Sequence, residues 1–173
     1  MNTPKRPADL MAGTVPLNAV KSIQVSKWMF SACGVWLMAL GVYFIFVRPP
    51  LLPEDPRFMG ATLEQIRASV PGLESWLRKV FTVMGGFMAG AGVLTVFVAT
   101  VAIPLQSRNT SWVLAISGAL TVVLMSATNF ALHSDFRWLL LLPALVWFAG
   151  LVVLVASRKA SSVDLDRSNG GVN

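Results

Sequence analysis

Four stretches of this chain, residues 28–47, 80–103, 111–132 and 138–156, contain no Asp, Glu, Lys, Arg or His. Each is near the roughly 20 residues that an α-helix needs to span about 30 Å of hydrocarbon. The runs are continuously apolar, whereas barrel strands alternate apolar and polar positions over about ten residues, so the pattern predicts helices. Short connections (residues 104–110 and 133–137) make the second and third helices, and the third and fourth, antiparallel neighbours.

The first connection, residues 48–79, is the large one. It opens on Arg48-Pro49-Pro50-Leu51-Leu52-Pro53-Glu54-Asp55-Pro56, where four prolines withhold backbone donors and push their predecessors toward extended geometry; a stiff, irregular turn is expected. Beyond it Leu63, Ile66, Val70, Leu73 and Leu77 recur at three- and four-residue spacing between polar residues, the signature of an amphipathic helix. Pro71-Gly72 should break it, and Thr62 with Gln65 forms a capping box at its start. Its apolar face is expected to cover the top of the bundle.

Charge orients the chain. Lys5, Arg6, Lys21, Lys27, Arg108, Arg158, Lys159 and Arg167 fall on one side, and Arg48, Arg57, Arg67, Arg78, Lys79 and Arg137 on the other. The richer side is expected to be cytoplasmic, which places both termini inside the cell and the first loop outside. Trp28 and Trp112 mark one interface, Trp76 and Trp138 the other. The expected organisation is a polar cytoplasmic leader over residues 1–27, a four-helix domain over 28–156 and a disordered cytoplasmic tail over 157–173, too polar to bury anything.

Composition agrees: 55% hydrophobic residues, 13% charged and a mean hydropathy of +0.66 exceed what an ordinary soluble domain carries. The net charge of +6 sits at the ends of apolar runs, with no motif for nucleic acid. One cysteine, Cys33, gives no disulfide or CxxC pair, and one histidine, His133, rules out a bis-histidine haem in one chain. No ionisable residue lies within the spans, which argues against ion or proton pumping. No nucleophile or acid/base constellation stands out, so no catalytic residue, metal or cofactor is assigned.

Two groups of residues are candidates for more than packing. Gly85, Gly86, Ala89 and Gly90 place small side chains one turn apart, which lets another helix approach closely. That helix belongs either to this chain or to a second copy or partner. Second, Asn129, His133, Asp135 and Arg137 around the third connection share a side with Glu54, Asp55 and Arg57 of the first. Asn129 and His133, four apart, share a face if the third helix runs that far. The group either caps helix ends and forms boundary ion pairs, or assembles a polar site for a metal, lipid headgroup or amphipathic molecule.

In layout the chain resembles the small, uncharacterised four-span inner-membrane proteins of bacteria. The residues that carry the resemblance are Arg48-Pro49-Pro50-Leu51-Leu52-Pro53-Glu54-Asp55 and Arg78-Lys79-Val80-Phe81-Thr82-Val83-Met84-Gly85-Gly86. It implies a location in the cell (inner) membrane and no particular activity. The expectation is an all-α membrane protein, a four-transmembrane-helix bundle with an amphipathic surface helix in its first extracytoplasmic loop. Its partners are membrane lipid and a homo-oligomer or larger membrane complex, with no nucleic acid. A non-enzymatic accessory subunit or small homo-oligomer is the leading function, and a binder or carrier of a small apolar or amphipathic molecule is the alternative.

Overall fold

The computed structural model describes the backbone of residues 17–170 except 106 and 108, and the side chains of residues 20–160 with the same exceptions. Most of the leader, Arg108 and the last three residues therefore lie outside the described residues, as do the side chains of Lys5, Arg6 and Arg167. The described chain is helical without strands: α1 (Leu17–Phe46), α2 (Glu54–Met59), α3 (Leu63–Ser69), α4 (Leu73–Phe97), α5 (Thr110–Gly118), α6 (Leu124–Ala131) and α7 (Arg137–Gly170). A π-helical turn, Val98–Ala102, extends α4, and a second, Ala119–Val123, joins α5 to α6 into one rod. Four helical segments are long and apolar enough to cross a membrane: Val20–Phe46, Leu73–Ala102, Thr110–Ala131 and Arg137–Ala160.

Helix boundaries depart from the charge-free runs because a helix ends at a breaker, not at a charge. Lys21, Gln24 and Lys27 are good helix formers, so α1 starts well before Trp28. Between Gly72 and Pro104 nothing interrupts propagation, and the second half of the expected surface helix is therefore the first two turns of α4. Only α3 remains as a separate element, with the expected reciprocal capping box: Gln65 N–H donates to Thr62 Oγ1 (3.2 Å) and Thr62 N–H to Gln65 Oε1 (2.8 Å). The tail corrects similarly. α7 continues to Gly170 where disorder was expected, since no Pro or Gly lies between Gly150 and Gly170 and extending an anchored helix avoids the nucleation cost.

The proline-rich turn also folds. Pro53 precedes α2 and Pro56 lies in its first turn, where a missing N–H leaves no helical hydrogen bond unmade. Gly60 ends α2 at φ 68°, in the left-handed region open to glycine.

Packing centres on α1, which lies between α4 and α7; the α5–α6 rod packs on α7. The second and third spans share no extended contact among the described residues, despite their short connection. Close approach decides this. A Cβ on Gly85 would lie 2.6 Å from Gly41 O, one on Gly92 2.5 Å from Gly34 O, and one on Gly41 2.6 Å from Ala89 N. Gly34 and Gly41 therefore face Gly92 and Gly85 across an antiparallel seam with a seven-residue repeat, and backbones rather than side chains meet there.

α7 is held by hydroxyl, thiol and indole donors that reach backbone carbonyls. Ser26 Oγ donates to Gly150 O (3.0 Å), Cys33 Sγ to Pro143 O (3.6 Å), Ser126 Oγ to Leu140 O (2.7 Å) and Trp147 Nε1 to Leu114 O (2.9 Å). Pro143 disturbs the carbonyls one turn before it, and Ser126 reaches into that disturbed turn. Phe30 meets Trp147 edge-on at 5.2 Å, and with Cys33, Leu37, Ile103, Leu114 and Val122 they form the core.

Candidate functional site

The opposed directions of the helices bring the C-terminal ends of α1 and α6, the N-terminal ends of α4 and α7, and the whole of α2 to one end of the bundle. At this loop end the rods do not close. A cavity of about 610 Å³ lies between them, lined on α1 by Trp36, Leu40, Tyr43 and Phe44 and just beyond its end by Arg48, on α4 by Leu73, Leu77 and Phe81, and on α6 and α7 by Met125, Asn129, Leu139 and Leu140. Glu54, Asp55, Phe58 and Met59 of α2 with its preceding turn form the roof. A volume of several hundred cubic ångströms with mostly apolar walls and a few converging polar groups is the usual form of a small-molecule site.

Arg48 is its principal polar group. Its side chain is only 11% exposed and its Nη2 lies 4.0 Å from Asp55 Oδ2. The guanidinium sits over the Phe81 ring, 3.6 Å from the centroid, and 5.1 Å from that of Phe44, where the negative ring faces partly replace lost hydration. Nη1 donates to Pro49 O at 3.3 Å. Burial lowers the Arg48 pKa from its ordinary value, and Asp55, Tyr43 and Glu54 act in the opposite direction. Arginine stays charged regardless, because its ordinary value is so high.

The two carboxyl groups hold the roof in place. Asp55 Oδ2 accepts the Leu52 N–H at 2.7 Å, and Glu54 Oε1 accepts the Ser134 hydroxyl at 3.0 Å. Ser134 is buried and its Oγ also accepts the Phe136 N–H (3.3 Å), so one serine ties α2 to the start of α7. Deeper in the wall is Trp36, whose buried Nε1–H has no hydrogen-bond partner among the described residues.

The structure thus divides the polar group expected around the first and third connections. Glu54, Asp55 and Asn129 line the cavity; Asn129 Nδ2 is engaged by Met125 O (2.9 Å). Glu54, Arg57 and His133 border a second, smaller recess of about 290 Å³, and Arg57 forms an exposed ion pair with Asp135 at 3.8 Å. Arg137 begins α7 away from the cavity lining. Asn129 and His133 do not share a helical face, because α6 ends first. Ser134 N–H donates to Asn129 O and His133 N–H to Phe130 O, a Schellman closure that puts His133 at φ 52°. No group of three metal-ligating residues occurs among the described residues.

The glycine group divides too. Gly85 and Ala89 meet Gly41 of α1, while Gly86 and Gly90 have nothing within 4 Å. Sequence reasoning missed Arg48, which it counted as a topology charge, and Trp36 and Ser134. A signal was available in Trp36, Leu40, Tyr43, Phe44 and Arg48, a stripe at three- and four-residue spacing that carries aromatic and cationic groups toward the loop.

No protein-family model matches the chain, and no curated protein or solved structure matches it.

Proposed function

We propose that this chain is a four-span membrane protein that binds a small, slender, mostly apolar molecule in the cavity at the loop end of its bundle, without catalysing its conversion. The cavity carries the proposal: about 610 Å³ of largely apolar volume with Arg48 at its mouth. Support for the bilayer as solvent comes from the outward faces, where Val35, Phe46, Phe87, Leu94, Leu120 and Phe148 are all exposed; water would not tolerate that much apolar surface. The Lys and Arg count favours cytoplasmic termini, which puts the cavity on the outer side of the cell membrane.

Leu40→Trp, which fills the slot, provides the test. Native mass spectrometry on gently extracted protein is expected to find a reproducible small mass on the wild type and none on a folded Leu40→Trp protein. Retention by both proteins places the molecule elsewhere and retires the site.

A second reading, association with another copy or a partner subunit, rests on Gly86 and Gly90. Both face outward beside exposed Phe87 and Val83. Gly86→Leu and Gly90→Leu should then split an oligomer and leave a folded monomer; an unchanged oligomer ends that reading.

A further inference from the structure

We infer that the ligand is a neutral single-chain or single-ring amphiphile whose polar end carries an acceptor oxygen, an ester or ketone carbonyl for example, held by the Arg48 guanidinium. This rests on the cavity being a binding site and names the chemistry it selects.

Shape gives the first constraint. The lining stripe on α1 runs from Trp36 to Phe44, about 12 Å at 1.5 Å per residue, and Arg48 continues it just beyond the helix end. Spread over that depth, a volume of about 610 Å³ makes an elongated space that suits one chain or one planar ring at carbon contacts of about 3.5–4.0 Å.

Charge gives the second. At the mouth two carboxyl groups, Glu54 and Asp55, face one guanidinium, and the charge of nearby Arg57 is matched by Asp135. An anionic head would meet both carboxylates and compete with Asp55 for Arg48. A cationic head would find the Phe44 and Phe81 faces already taken by Arg48. A neutral head meets neither obstacle.

Hydrogen bonding gives the third. The guanidinium fork has five N–H donors, and among the described residues it has one protein acceptor within hydrogen-bond distance, Pro49 O; Asp55 stands off at 4.0 Å. The fork therefore offers a ligand donors, and donors select acceptor oxygens. Arg48 fixes the head, and the rest of the molecule lies along Leu40, Leu139 and Leu140.

The test is a native mass spectrometry titration of the delipidated full chain with four lauryl probes: methyl laurate, laurate, dodecyltrimethylammonium and dodecane. Methyl laurate is expected to bind at least tenfold more tightly than each of the others. Arg48→Gln should reduce its affinity about tenfold and leave dodecane unchanged. Equal binding of ester and dodecane, or a preference for laurate or the cation, overturns the head-group assignment while the cavity reading stands. No binding of any probe overturns both. The wild-type rank order decides the matter even if Arg48→Gln does not fold. Before delipidation, a neutral single-chain or single-ring mass supports the inference, and a two-chain phospholipid in the slot contradicts it.

Discussion

Gly85 and Gly86 are adjacent in sequence, yet alanine at the two positions should have opposite effects. A Cβ at Gly85 would stand 2.6 Å from Gly41 O and 2.7 Å from Ile45 Cγ1, with Ile45 N at 3.0 Å. The nearest atom is a backbone carbonyl and cannot rotate away, so α1 and α4 must separate. Overpacking of this kind costs about 1–3 kcal/mol, and the separation also loosens the matched contact between Gly92 and Gly34 on the same helix pair. At Gly86 nothing lies within 4 Å; alanine there creates no clash and gains up to about 1 kcal/mol of helix propensity. The two variants should therefore differ by roughly 1–4 kcal/mol. Reversible unfolding in mixed micelles, followed by circular dichroism, would measure this difference. Equal costs, or a larger cost at Gly86, would refute the assignment of the close crossing to Gly85.

Three further outcomes follow from local geometry. His133→Gly relieves a left-handed residue and should stabilise the protein by about 0.5–1 kcal/mol after the entropy of glycine is counted; a lower melting temperature would contradict the Schellman closure. Ser126→Ala removes the bond to Leu140 O and should cost about 0.6–1.7 kcal/mol in the same unfolding assay, whereas no change would mean that α7 is held without it. Thr62→Ala removes the α3 cap, worth about 1 kcal/mol. Amide exchange over Leu63–Ser69 should quicken while the spans stay protected, and uniform quickening would argue against a local cap.

The four long apolar helices were legible because helices of membrane length announce themselves by the absence of charge, and the capping box because it is encoded within four residues. Boundaries were less so: Lys21 and Lys27 at one end and Arg78 and Lys79 at another are charged yet helical, and the helix stops only at residues such as Gly72 and Pro104. The glycine seam was half legible. The GxxxG pair Gly86 and Gly90 drew attention, but the crossing uses Gly85 and Gly92, seven apart, because their partners Gly41 and Gly34 repeat at seven on α1. That pairing lies between distant segments and no local pattern reveals it. The cavity is non-local in the same way. Glu54, Asp55 and Asn129 were named from their side of the chain, whereas Arg48 takes its meaning from Phe81 on another helix and Ser134 from Glu54.

The most direct measurement is a crystal structure of the protein purified without delipidation. One elongated non-protein density in the slot along Leu40 and Leu140, ending within hydrogen-bond distance of the Arg48 guanidinium, is the expected result. A slot closed by its own side chains, with Arg48 turned out to solvent, would contradict the binding site.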